Sequence, residues 1–291
     1  MVLEVVMFLG VFVILAISSF TDIRTREVPD LLSWGLFVFA LSLRALFSFV
    51  YGYELFLSGL IGAALCFALA FVLYYTGQWG GADSKLLVGM GAVLGVDFLF
   101  GPLASPLAVG TGFDLLAFIV LLLFSGAFYS LLWTIGLALL NQEKFIHEFR
   151  LLFYDSQGYF KTTLVIFVLG IFLGLSQQWI FAAVGSVLFL SYGTFLGVIA
   201  VERGCFVKQR EVSKLVEGDW LVEKVRGEYG STIYPKTLEK VDLLKLHKWY
   251  EKEKIKFVMI KEGVPFVPAF LCAYTLLLLQ EWWLPLVQSF L

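Results

Sequence analysis

From Val5 the chain reads VVMFLGVFVILAISSF and then, from Thr21, TDIRTREVPD. Sixteen uncharged, mostly apolar residues give way at once to ten of which five are charged. An apolar run of this kind approaches the ~20 residues that cross a bilayer as a helix. Glu4 stands where a secretory signal would carry basic residues, and no small-x-small cleavage pattern follows. The run is therefore expected to be a retained first transmembrane helix rather than a removable targeting peptide.

The same ruler, moved along the chain, finds seven further apolar stretches: about 31–50, 54–76, 86–109, 114–140, 162–176, 179–201 and 264–286. Composition agrees. Of 291 residues 60% are hydrophobic and 15% charged, against roughly 45–50% and 25% in ordinary soluble domains. The expected fold class is an all-α polytopic membrane protein of about eight transmembrane helices, with a small cytoplasmic domain before the last. The expected divisions are 1–110, a catalytic transmembrane core of four spans; 111–201, additional spans; 202–262, a charged cytoplasmic domain; and 263–291, a C-terminal helix. The sixth and seventh stretches are short enough to form one re-entrant pair instead.

Lysine and arginine set the orientation. With the N-terminus outside and the sides alternating, 20 of the 21 basic residues fall in inside loops. The other, Arg44, lies within the second span, where it either snorkels or pairs inside the bundle. The loops TDIRTREVPD and QWGGADSK and the segment 202–262 are then cytoplasmic, and the protein belongs in the cell membrane. Segment 202–262 carries fourteen basic and eleven acidic residues, with Leu215, Trp220, Val225, Leu243, Leu244, Leu246 and Trp249 between them. A small, partly helical domain with a turn around YGSTIYP is expected there. Cys66, Cys205 and Cys272 form no CxxC pair, and His147 and His247 are isolated, so neither a metal centre nor another cofactor is expected. No feature points to nucleic acid.

Two carboxylates stand out. Asp22 lies just beyond the first apolar run, and Asp83 lies in QWGGADSK just before the fourth, so both fall at the cytoplasmic boundary. Carboxylates converging at one depth can share a proton and divide acid and base roles on an amide carbonyl. Gly80 and Gly81 can adopt positive φ and admit a close chain, and Ala82 keeps the space beside Asp83 small. Taken alone, the glycine string is equally an interfacial turn with Asp83 capping the next helix. Glu27 and Asp30 lie beside Asp22, as surface loop residues or as contacts for a basic peptide. Asp97 is about 21 Å along a helix from Asp83. Asp114, Glu54 and Glu281 are expected as solvated end caps at outer boundaries.

TDIRTREVPD after a first helix and GGADSKLL opening a later one resemble the two active-site blocks of the type IV prepilin peptidases. The archaeal preflagellin and prepilin peptidases of the GxGD aspartyl class resemble them more closely. In that family one aspartate of each block forms the catalytic pair, and the match carries these onto Asp22 and Asp83. The resemblance covers about the first 110 residues, and GVPFVPAF at 263–270 is similar to a C-terminal extension of some archaeal members. Ala82 replaces the second glycine of GxGD. The zinc-binding cysteine tetrad of the bacterial enzymes is absent, so their methyl-transfer activity is not expected. The resemblance implies an aspartic endopeptidase that removes signal peptides from prepilin-like or preflagellin-like precursors at the cytoplasmic face, with those precursors and the lipid bilayer as partners. A presenilin-type or signal-peptide-peptidase-type protease, and a transporter or channel with intramembrane carboxylates, are the alternatives.

Overall fold

The computed structural model describes residues 2–96, 114–175, 179–227, 232–280, 282, 283 and 285, with 2–4 described by backbone alone. The second half of the fourth expected span, with Asp97, lies outside these residues, as do Gln177, Gln178, Glu281 and 229–231 of YGSTIYP.

Six helices among the described residues are long and apolar enough to cross a membrane. They are α1 (Val2–Thr25), α2 (Asp30–Tyr51), α3 (Glu54–Tyr75), α5 (Asp114–Leu140), α7 (Gln157–Gly174) and α8 (Trp179–Val201). The other two expected spans coincide with shorter apolar helices, α4 (Gly81–Leu94) and α10 (Val267–Leu278). The chain is an all-α multi-pass membrane protein; eight full spans are not established. An amphipathic helix, α6 (Gln142–Asp155), occupies what sequence reads as a loop. Its Phe145, Phe149 and Phe153 stack at intervals of four and continue onto Phe160.

The fold divides into two compact units, Met1–Leu131 with Val264–Leu291, and Leu132–Gly263. In the first, α1 turns one stripe inward: Met7, Val11, Leu15, Ser18, Ser19 and Asp22. α3 and α4 pack backbone to backbone. A Cβ at Gly62 would sit 2.3 Å from the Gly91 carbonyl oxygen, and one at Gly91 would sit 2.4 Å from that of Gly62. Such small-residue crossings are how helices approach closely in lipid, where no hydrophobic drive separates them from acyl chains. Leu36 of α2 fills the space that Gly89 of α4 leaves.

Arg44 neither snorkels nor faces lipid. It is fully buried, and its guanidinium donates to the carbonyls of Leu55 at 2.7 Å and Val93 at 2.7 Å. Gly95, at φ 70, ends α4 where a side chain would strike Arg44 Nη2 at 2.7 Å. The arginine thus ties α2 to α3 and to the end of α4. Asp114 departs from expectation: it is 2% exposed, not a solvated cap. A carboxylate at the start of a lipid-facing helix is far cheaper turned into the bundle.

α10 meets α1 through Tyr274 on Phe8, with ring centroids 6.4 Å apart, and meets α5 through Phe270 on Phe118 at 6.3 Å. Val267 reaches Asp22, near the far end of α1 from Phe8, and Phe266 reaches Gly126, two turns on from Phe118. α10 is therefore antiparallel to both helices, and α1 and α5 run the same way.

In the second unit α7 and α8 pack along glycines, with Gly170 set against the Phe181 carbonyl and Gly185 against that of Ile166. The charged segment is more than partly helical loop. Antiparallel strands β1 (Val207–Glu211), β5 (Phe257–Lys261) and β2 (Trp220–Leu221) form one sheet in the order β1-β5-β2. β3 (Val225–Arg226) and β4 (Thr232–Ile233) pair separately, and α9 (Lys240–Glu251) completes the layer. Leu215, Leu246 and Trp249 join Val212, Leu221, Val258 and Ile260 in its core. Val225 and Leu243 are half-buried, whereas Trp220 and Leu244 are exposed.

Candidate active site

The site is built at one end of the first unit, from the last turn of α1 and the first turn of α4. α1 runs through Asp22 and stops at Thr25, whose Oγ1 donates to the Thr21 carbonyl at 2.8 Å and the Glu27 carbonyl at 3.1 Å. Arg26, at φ 63, turns the chain out, and its N–H closes on the Asp22 carbonyl at 2.9 Å. Pro29 then starts α2; a proline at a helix start has no N–H to leave orphaned.

On the other side α3 ends and Gly77, at φ 69, reverses the chain. Positive φ thus falls on Gly77 and not on Gly80 or Gly81, correcting the expectation from sequence. Gly80 is extended, at φ −76 and ψ 166, as the cap of α4. A Cβ there would lie a tight 3.3 Å from Asp83 Oδ2, so a larger residue would press on that carboxyl, whereas one at Gly81 would meet only Tyr74 at an ordinary 3.9 Å. Asp83, third in the helix, reaches back to accept the Gly80 N–H at 3.3 Å. Ala82 packs against the bundle core.

Asp22 is buried at 8% exposure, and its Oδ2 accepts the N–H of Val267 at 3.0 Å, 245 residues along the chain. Val267 opens α10, so its amide is one of the donors a helix start leaves unpaired. Asp22 and Asp83 come close enough for the charge of one to act on the other. Carboxylates that feel one another's charge can divide acid and base roles between them. Tyr129 of α5 lies within electrostatic reach of Asp22 and Arg26. The wall beside the pair is aromatic: Trp79 meets Phe266 at 5.4 Å and Phe270 at 5.7 Å, and Phe266 fills the space over Gly126.

Sequence singled out Glu27 and Asp30 near the pair. Glu27 is exposed. Asp30 is exposed too, and ion-pairs with Lys85 of α4, which ties the start of α2 to the turn carrying Asp83. Sequence did not assign Val267 or Tyr129 to the site. The signal for Val267 was the proline-rich GVPFVPAF at the mouth of the last apolar run; Tyr129, inside a uniformly apolar helix, had none. Among the described residues no three His, Cys, Asp or Glu side chains cluster as a metal site would require.

The model of the type IV leader peptidase family matches residues 9–140, which contain both Asp22 and Asp83. The preflagellin peptidase of Methanococcus voltae is 36% identical over 81 residues, 28% of this chain and 34% of that protein. That of Methanococcus maripaludis is 34% identical over 82 residues, 28% of this chain and 35% of the relative. That of Methanocaldococcus jannaschii is 32% identical over 81 residues, 28% and 34%. The chain thus spans about a third of the length of the curated relatives it matches. No solved structure matches it. The family model thus spans α1 to α5, including both aspartates, and over these residues the chain is similar to the type IV leader peptidase family.

Proposed function

We propose that the chain is an aspartic endopeptidase that removes signal peptides from prepilin-like or preflagellin-like membrane precursors, with Asp22 and Asp83 as its catalytic pair. The observation that carries this reading is the approach of two carboxylates, from helices sixty residues apart in sequence, at one end of a membrane bundle. The names of the relatives favour a peptidase over a transporter or a presenilin-type enzyme.

The chemistry needs no more than the pair and one water. The ionised carboxylate takes a proton from water as the water oxygen bonds to the scissile carbonyl carbon, and the protonated partner gives its proton to the carbonyl oxygen. On collapse the C–N bond breaks. The nitrogen leaves with the proton the first carboxyl had gained, and the second carboxylate recovers a proton from the intermediate's hydroxyl. The pair ends as it began.

The distribution of basic residues supports a location for this end of the bundle at the cytoplasmic face of the plasma membrane. A substrate with a short basic segment before an apolar helix would keep that helix in the bilayer and bring the junction to the pair. Glu27, and the Asp30 oxygen not engaged by Lys85, offer negative charge to the basic segment.

The test is to incubate purified protein in detergent with one signal-bearing precursor and weigh the products. Cleavage between the basic segment and the apolar helix is expected. No cleavage of any prepilin-like or preflagellin-like precursor, or cuts scattered within the apolar helix, would refute the reading.

A further inference from the structure

Serine and threonine in a membrane helix ordinarily satisfy themselves by donating to a carbonyl three or four residues back. Ser48 does so to Ala45 at 2.7 Å, Thr76 to Val72 at 2.8 Å and Ser186 to Ala182 at 2.7 Å. Ser18, Ser19 and Ser125 do not. They are 0%, 5% and 9% exposed, and their hydroxyls have no partner among the described residues. A buried polar group left unpaired costs free energy, so each of these hydroxyls would gain from a guest that completes it.

Their placement says what the guest is for. The inward stripe of α1 is apolar at Met7, Val11 and Leu15, then changes to Ser18, Ser19 and Asp22. The inward stripe of α5 is apolar at Leu115, Phe118 and Leu122, then changes to Ser125, Gly126 and Tyr129. The two helices run the same way, and Tyr129 lies within reach of the Asp22 charge. Ser18 is one turn from Asp22, and Ser125 one turn from Tyr129, or about 6 Å deeper along each helix axis. These hydroxyls therefore lie on the membrane side of Asp22 and Tyr129, on helices whose deeper inward positions are apolar.

A helical substrate cannot be cut as a helix, because its amides are engaged in the i→i−4 ladder. Opening the first apolar turn frees N–H and C=O groups, each costing several kcal/mol in hydrocarbon unless a partner takes it. A hydroxyl donates and accepts, so it can serve either group. We propose that Ser18, Ser19 and Ser125 form a subsite that hydrogen-bonds the unwound main chain of the substrate's first apolar turn, on the membrane side of the scissile bond. The proposal rests on the peptidase reading and adds to it how the bilayer-embedded side of the substrate is held.

The experiment measures binding, so that it does not depend on turnover. The full chain carrying Asp22→Asn is titrated with a fluorescent synthetic peptide holding a basic segment, the junction and an apolar helix. A matched set has a single backbone ester in place of the first, second or third amide after the junction; an ester lacks the N–H and is a poorer acceptor. Ser18→Ala, Ser19→Ala or Ser125→Ala should each weaken binding of the all-amide peptide by about three- to tenfold. For each serine that does so, one ester peptide should already have lost that contact and show no further loss on substitution.

Ser48→Ala, whose hydroxyl bonds its own helix, should change nothing. Equal loss for amide and ester peptides at all three positions, or no loss at all, overturns the proposal. So does unchanged binding combined with a fall in kcat when the serines are replaced in the otherwise native protein, since that outcome assigns the hydroxyls to bound water. Absence of cleavage by the native protein would instead refute the peptidase reading, leaving the binding result to stand by itself.

Discussion

Asp83 is carried by a short helix, α4, and its position is set by how α4 crosses α3. Gly62→Ala tests this away from the site. The new Cβ would lie 2.3 Å from the Gly91 carbonyl oxygen and 2.8 Å from the Gly95 Cα, both backbone atoms that no side-chain rotation can move. The first contact falls about 1 Å short of ordinary van der Waals separation, so the crossing must open by about that much. Gly91 is eight residues, or about 12 Å, from Asp83 along α4, and a rigid helix passes the shift on. A displacement of about 1 Å in a catalytic group costs on the order of 10²-fold. kcat/KM for a signal-bearing precursor should therefore fall by about that factor, while overpacking lowers stability by only about 1–3 kcal/mol, leaving a folded protein to assay. Gly35→Ala is the control, because nothing lies within 4 Å of a Cβ there. Cleavage by Gly62→Ala within twofold of native, or an equal loss in Gly35→Ala, would show that the α3–α4 crossing does not place Asp83.

Other perturbations probe other parts of the account. Arg44→Ala removes two charge-assisted bonds to the Leu55 and Val93 carbonyls and should cost at least ~3 kcal/mol, read as a lowered melting temperature in detergent. Asp242, on α9, is buried, which alone would raise its pKa, but the Lys236 ammonium at 2.7 Å and the Glu239 N–H bring it below the ordinary carboxylate range. Its contribution is then fully present above the unfolded value of about 4 and lost as pH falls through the lowered folded value. Hydrogen exchange in α9 of the intact protein should speed up as pH is lowered below about 4, beyond the intrinsic change, and Asp242→Asn should blunt that acid sensitivity. With Cys272 replaced by serine, a membrane-impermeant thiol reagent added outside whole cells should label Tyr53→Cys and miss Lys252→Cys; the reverse pattern would invert the topology.

The membrane class and most spans were legible because hydropathy is a one-dimensional property that lipid imposes on each helix separately. The placement of Asp22 and Asp83 at helix ends was legible for a similar reason, since each sits where an apolar run meets a charged loop. What sequence could not carry was contact between distant elements. Val267 is 245 residues from the carboxylate it bonds, and a backbone amide leaves no mark on side-chain chemistry. Arg44 looked ambiguous because its partners are main-chain carbonyls. The positive φ expected at Gly80 falls on Gly77 instead, because the turn comes earlier in the chain and Gly80 is the extended cap of α4. The strands at 207–261 were hidden because most are two residues long and charges interrupt their alternation. α6 was hidden because charged residues break up its apolar positions, leaving phenylalanines at intervals of four as its signal.

Single and double substitution of the pair decides whether Asp22 and Asp83 work together. Asp22→Asn, Asp83→Asn and the double variant are purified in detergent, checked for a native melting temperature, and given one precursor that the native protein cleaves. Each single change should reduce cleavage nearly to background, and the double change should add little, because groups that act as one unit are not additive. The native rate should also fall on both sides of a pH optimum, as the shared proton is lost or a second is gained. Asp22→Asn or Asp83→Asn cutting at near the native rate would contradict the two-aspartate site outright.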